Sequence, residues 1–355
     1  MRYRALLPIV SLLIACGDGS GPPPAAGPPR SYLMGFSAIP PRYDSTATVI
    51  LGINNWLPHA DAAIMHVSPP WAAMLAGHSP AGAVDTVEVP LAQYYRAKGL
   101  QHIVFTVDAT DGLNRAAEAP ELVAAGRSIT DTLVQRLYRE WVFAVAQRIQ
   151  PDYLGLAAET NLIRLAAPDS VYQAIVTMTN SVAAQIQAAS LPSKLFVSVQ
   201  VETAWGRLPP GPYVGIAQDL ADFPFVEALG LSTYPYLAGF AVPESLPLDY
   251  YSRIAQGTTL PVLVVEGGWP SVSVDTLVST PAEQARYINR QELLLDSAKA
   301  RGVFQLTFYD LDVSNNPPSP GSILPLFTHL GLADSAMHAK AALAVWDSTY
   351  HRPGP

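Results

Sequence analysis

The chain alternates between short, almost wholly apolar runs and longer stretches whose apolar residues recur at helical spacing. Eight short runs stand out, near Tyr32–Ile39, Ala62–Val67, His102–Val107, Tyr153–Ala158, Leu195–Val201, Val226–Thr233, Val262–Val265 and Val303–Phe308. Each is followed by polar, Gly or Pro residues. Runs that are apolar at successive positions, rather than at alternate ones, fit strands buried on both faces, as in a parallel sheet. The intervals between them leave room for a loop and a helix each. Ser128 to Gln150 and Asp169 to Ala189 show helical spacing. Thr280-Pro281-Ala282-Glu283 is a capping box with proline at the first helical position, opening a helix that runs through Leu293-Leu294-Leu295 toward Gly302. Ala333 to Trp346 is expected to close the chain as a helix.

Eight strand–helix units predict an α/β fold, a single-domain (β/α)8 TIM barrel over residues 31–350. A doubly wound open sheet is the rival. It requires a Gly-rich phosphate loop after the first strand, and Phe36-Ser37-Ala38-Ile39-Pro40-Pro41 cannot serve as one. An insertion falls between the third and fourth strands, around Asp111 to Gly126. The 33 prolines and 24 glycines suggest elaborate loops on a rigid scaffold.

The first residues set a compartment. Arg2 and Arg4 precede an apolar segment, Leu6 to Ala15, too short for the ~20 residues a spanning helix needs. It ends in Leu13-Ile14-Ala15-Cys16, which resembles a bacterial lipobox. The resemblance implies a signal peptide over 1–15, a lipid on Cys16, and an exported protein anchored to the cell envelope. Residues 16–30, rich in Gly and Pro, are expected to be a tether. Cys16 is the single cysteine, so no disulfide forms within the chain.

In a barrel the chemistry sits at the C-terminal ends of the strands. The polar residues there are Ser37, His66, Asp108, Glu159, Glu202, Tyr234, Glu266 and Asp310. Two stand out. Val262-Leu263-Val264-Val265-Glu266-Gly267-Gly268-Trp269-Pro270 ends a buried run on a carboxylate, and Tyr153-Leu154-Gly155-Leu156-Ala157-Ala158-Glu159-Thr160-Asn161 does the same. A carboxylate at the end of a buried strand is costly unless it is used. Two of them facing one sugar are the equipment of glycoside hydrolysis. Glu266 is then the ionised nucleophile. Glu159 is the proton donor, kept protonated by burial and by the second carboxylate. Tyr234 is placed to hydrogen-bond Glu266. Either glutamate has a plainer role open to it, Glu266 closing a loop on backbone amides and Glu159 pairing with Arg164 or another arginine.

These motifs resemble the clan A retaining glycoside hydrolases, whose acid/base follows strand four and whose nucleophile follows strand seven. Glu266-Gly267-Gly268-Trp269-Pro270-Ser271 is similar to the nucleophile segment of plant-type β-1,3-glucanases. The chain length and Ser232-Thr233-Tyr234-Pro235 look more like family 53 arabinogalactan endo-β-1,4-galactanases. The resemblance implies cleavage of a β-linked polysaccharide or oligosaccharide by double displacement. One departure matters: clan members usually carry Asn directly before the acid/base, and Ala158 stands there. Asn161 is a candidate substitute.

The remaining candidates for sugar contact are His66, Asp108, Glu202, Trp205 and Trp269. His66 also suits a satisfied core histidine, Asp108 and Glu202 suit loop anchors, and Trp71, Trp205 and Trp269 suit either sugar stacking or loop anchoring. With a formal charge of −8, 14% charged residues and no basic run, nucleic acid is excluded as a partner. No cofactor is called for. Seven scattered histidines offer no metal site, and no Gly-x-Ser-x-Gly elbow is present. A monomer is expected, touching the membrane through its anchor. Two other functions fit the same pattern: a degenerate barrel that binds surface glycans, and a transglycosylase of the cell envelope.

Overall fold

The computed structural model describes residues 27–355. Ten strands are present: β1 Leu33–Ser37, β2 Ala62–Val67, β3 His102–Val107, β4 Thr110–Asp111, β5 Asn114–Glu118, β6 Tyr153–Gly155, β7 Lys194–Gln200, β8 Ala228–Thr233, β9 Val262–Gly267 and β10 Gly302–Gln305. Eight of them close into a barrel in the order β1-β10-β9-β8-β7-β6-β3-β2, every neighbouring pair parallel. The expected (β/α)8 barrel is therefore the fold. β4 and β5 form a separate antiparallel hairpin inside the insertion after β3.

Side-chain alternation builds two cores. Ala62, Ile64, Val104, Phe196, Ala228, Leu263, Val265 and Phe304 point inward and fill the barrel. The residues between them, such as Ala63, Met65, Phe105, Val197 and Val264, face the surrounding helices. This is why the runs read as continuously apolar. Phe196 occupies the barrel centre because its neighbours give way. A Cβ on Gly155 would lie 2.6 Å from its ring, and one on Gly230 2.8 Å.

The helices follow their signals. Thr280 caps Pro281–Ala298, accepting at 3.2 Å from the Glu283 N–H, and its hydroxyl donates to the Glu283 carboxylate at 3.0 Å. Thr132–Arg148 and Asp169–Ala188 match expectation within a few residues. The last helix does not. It begins at Ala341, not Ala333, and ends at Tyr350. Ala333 is drawn into bridges with Tyr309 and Ala339, and Asp334 accepts from the Ala336 and His338 N–H groups in a tight turn. Local side-chain bonding of this kind competes with helix.

The expected signal segment and Cys16 lie outside the described residues. The last residues of the stretch expected to be a tether are packed against the barrel domain. Arg30 donates to Asp61, at the N-terminal end of β2, at 2.6 Å, and its N–H bonds the Pro353 carbonyl. Arg352 donates to the Pro28 carbonyl at 2.6 Å. The two ends of the barrel domain are thus stapled together on the floor, opposite the strand C-termini. Among the described residues no helix is long and apolar enough to cross a membrane.

Candidate active site

Glu266 reaches the barrel mouth through a fault in the sheet. Leu263 and Val265 point inward, so strict alternation would turn Glu266 out toward the helices. The β8–β9 register instead shifts: Leu231 pairs with Val264 but Ser232 pairs with Glu266. That extra residue rotates the strand end and aims Glu266 inward, as β-bulges near sites do. The Tyr234 hydroxyl donates to Glu266 Oε1 at 2.5 Å, as expected. Burial first, then the charge of Glu159, pushes Glu266 up to about 7, against the Tyr234 hydrogen bond and Arg115.

Glu159 is placed by strain and by its neighbours. It follows β6 with φ +49° and ψ +47°, a left-handed conformation costing about 1–3 kcal/mol for a non-glycine residue. Its N–H donates to Ser198 Oγ on β7 at 2.9 Å. Ser232 Oγ donates to Oε1 at 2.8 Å, and Arg115 Nε donates to Oε2 at 2.8 Å. Since Ser232 is the Cα partner of Glu266, a single hydroxyl spans the gap between the Glu266 strand and the Glu159 carboxylate.

Arg115 was not legible as a site residue. It comes from β5 and is 7% exposed, with Nη1 donating to Asp108 Oδ1 at 2.6 Å and to Thr110 Oγ1 at 3.1 Å. The expected charge division puts the proton on Glu159 and leaves Glu266 ionised. Both Glu159 oxygens accept hydrogen bonds, one of them from a cation, while Glu266 is the carboxyl pushed up. Arg164 does not pair with Glu159; it is held by Asp219 at 3.0 Å.

The other candidates divide. His66 donates from Nε2 to the Val265 carbonyl at 3.0 Å, and burial holds its imidazole down at about 4. The ring is neutral, so Nδ1 is an acceptor lying 4.0 Å from Glu266 Oε2. Asp108 anchors the hairpin with one oxygen and lines the same cavity as His66. Glu202, Asn161, Trp205 and Trp269, expected at the sugar, are bonded within the protein. Glu202 is fully buried and accepts from Thr233 and Tyr250 at 2.8 Å each and from Gln200. Asn161 cannot replace the missing amide at Ala158, because both ends of its side chain bond the Gln200 backbone, at 2.8 and 2.9 Å. Trp205 donates to the Tyr250 carbonyl and Trp269 to Ser279 Oγ. None of these four lines the cavities at the barrel mouth. Phe308 and Tyr309, after β10, also face the core.

Two cavities meet at the carboxylates. One of about 500 Å³ is bounded by His66, Asp108, Ala158, Thr307 and the segment after β1. The other, about 390 Å³, is bounded by Glu159, Leu162, Gln200, Thr203 and Leu237. Glu266, Tyr234, Arg115, Gly112, Leu113 and Phe327 belong to both. Their walls carry five carboxylates, Asp44, Asp108, Glu159, Glu266 and Asp312, against Arg42 and Arg115. Both arginines are already paired: Arg42 lies 3.4 Å from Asp44 and 3.7 Å from Asp312.

No family model matches the chain, and no curated protein matches its sequence. Solved structures do match in fold. The exo-β-1,4-mannosidase Op5Man5 from Opitutaceae bacterium strain TAV5 superposes with TM-score 0.63 at 13% identity over 89% of this chain and 58% of its own. The Ignisphaera aggregans GH53 catalytic domain gives TM-score 0.61 at 14% identity, over 92% of this chain and 98% of its own. A Bifidobacterium longum GH5_18 protein in complex with Manb1-4GlcNAc gives 0.59 at 15%, over 90% of this chain and 78% of its own. Against β-glucuronidases from Ruminococcus gnavus and an uncultured Clostridium, the chain spans about half of their length. The chain thus has the (β/α)8 fold of glycoside hydrolases, at identities that speak for fold alone.

Proposed function

We propose that this protein is a retaining glycoside hydrolase acting on a neutral, β-linked oligosaccharide or polysaccharide, with Glu266 as nucleophile and Glu159 as acid/base. The observation that carries the reading is the pairing at the mouth. Glu266 has one oxygen fixed by Tyr234, Glu159 borders the same cavity, and the charge of Glu159 is felt at Glu266. A retaining mechanism requires the two carboxyl groups to stand ~5 Å apart, for direct attack rather than attack through water. Cavities on both sides of Glu266 give room for sugar on each side of the scissile bond. The named exo-β-1,4-mannosidase match supports a β-linked substrate. Carboxylates outnumber arginines in the walls, and no arginine there is free, which favours neutral sugars over uronides.

The deciding experiment is a panel of aryl β-glycosides and plant and microbial polysaccharides, with the product anomer followed by proton NMR. Cleavage of a β-hexoside with initial release of the β-anomer supports the reading; an α-anomer product or a preference for β-glucuronides overturns it. Ala158 and the committed Asn161 favour a second reading, a surface barrel that holds glycans without cleaving them. Glycan binding by calorimetry with no turnover on the panel would select it. The lipid anchor belongs to the proposal as well. Cys16→Ser should release the protein from the membrane fraction or block its processing, because buried acyl methylenes supply the binding.

A further inference from the structure

The hairpin of β4 and β5 puts a cation on the residue that must give a proton. A guanidinium has five N–H donors and no acceptor, so the proton between Arg115 Nε and Glu159 Oε2 belongs to the arginine and is not one Glu159 can give. Oε1 accepts from Ser232. The cation beside Glu159 favours the ionised carboxylate, yet passing a proton to a departing sugar oxygen is the task of the acid in double displacement. Loosening the contact with Arg115 favours the protonated form the first step needs.

The structure offers the arginine another place. Its Nη1 is already on Asp108 at 2.6 Å and on Thr110 at 3.1 Å. A shift away from Glu159 leaves the guanidinium paired, and so avoids stranding a bare charge in a dry cleft. The hairpin is also where sugar arrives. Gly112 and Leu113, its turn, line both cavities. Asp108 nests beneath that turn, its Oδ2 only 3.0 Å from where a Gly112 Cβ would stand. A ligand filling either cavity presses on the element that carries Arg115.

We propose that Arg115 is a positioning residue that decides which catalytic carboxyl holds the proton. In the empty cleft it keeps Glu159 an acceptor, and its withdrawal onto Asp108 when sugar binds turns Glu159 into the donor. The proposal rests on the hydrolase reading above. The proton balance closes within the pair. One proton sits on Glu266 in the empty cleft and on Glu159 in the reactive complex, leaving Glu266 as the free carboxylate that attacks; no outside donor is needed. The upward push on Glu266 agrees with this starting state. The charged and titratable groups facing Glu159 are Arg115 and, through it, Asp108 from the hairpin side, Glu266 from β9 and Tyr234 after β8. Arg164 on its own helix is taken by Asp219.

The test is Arg115→Gln beside Arg115→Lys. On an unactivated oligosaccharide, the alkaline limb of kcat/KM should move upward in the Gln variant by about 1–3 pH units, the span a neighbouring cation commands. On a dinitrophenyl glycoside, whose leaving group departs without a proton, that limb should not move. The Lys variant, which keeps the charge, should keep the wild-type limb with a lower kcat. A second readout needs no turnover. In ¹³C-carboxyl NMR of Glu-labelled protein, assigned with Glu159→Gln, the Glu159 resonance should titrate at higher pH in the Gln variant than in wild type. An unmoved NMR midpoint in a variant that melts like wild type overturns the proposal, as does an unmoved limb in a variant that turns over. If the wild type cleaves no glycoside but the midpoint moves, the hydrolase reading falls while the control of Glu159 by Arg115 stands.

Discussion

Glu202 and Glu266 are both carboxyls just past the run of a barrel strand, both pushed up to about 7 with burial as the first cause, yet their surroundings are opposite. Glu202 is sealed: Thr233, Tyr250 and Gln200 donate to its two oxygens, and it borders no cavity at the mouth. Glu266, among the described residues, accepts from Tyr234 alone and turns Oε2 toward open space. Burial and a perturbed proton affinity are therefore shared by a structural acid and by the proposed nucleophile. The difference lies in an oxygen left without a protein partner and facing a void large enough for a ligand.

Exchanging each acid for its amide is the hardest test of that contrast. Glu266→Gln should lower turnover on all glycosides by several orders of magnitude, since an amide forms no glycosyl ester, while calorimetry should still detect sugar binding. Equal loss in Glu202→Gln would erase the distinction. The next effect belongs to Glu159. Its change to Ala should cost roughly 10²–10⁴-fold in kcat/KM on sugar leaving groups, and far less in kcat/KM on dinitrophenyl glycosides. Tyr234→Phe is milder. The lost hydrogen bond lowers Glu266 in the wild type, so the alkaline limb of kcat/KM, which follows loss of the proton from Glu266 in the empty cleft, should move upward, by roughly one to two pH units for a bond to a charged group.

The smallest effect is on stability. The fold raises Glu202, so its contribution is full below the ordinary carboxylate range and is lost as pH rises through about 7. Calorimetric scans at pH 5 and pH 8 should show wild-type Tm falling across this window. Glu202→Gln should shrink the fall by a few degrees, of the order expected for a domain this size. Glu88 and Glu266, raised likewise to about 7, keep part of it.

The barrel was legible because its strands are buried on both faces, which leaves continuous apolar runs in the sequence. Glu159, Glu266, Tyr234, His66 and Asp108 were legible for the same reason, as each follows or ends such a run. Past the strand ends the sequence loses direction. Trp205 and Trp269 sit only a few residues further on, but their loops fold back and bond the indole N–H groups internally. Asn161 looked like a free amide until the β7 backbone claimed it. Arg115 carried no signal, because it lies in a hairpin whose register with the barrel depends on tertiary contacts. The inward aim of Glu266 likewise depends on a register shift between β8 and β9, which no single-strand pattern encodes.

The staple formed by Arg30, Asp61, Arg352 and the Pro28 and Pro353 carbonyls sends both chain ends out behind the barrel, on the side away from the cleft. Whatever the chain is joined to at either end, a lipid, a fused partner or an immobilising surface, then stands at its back. The cleft then opens on the opposite side, clear of that attachment.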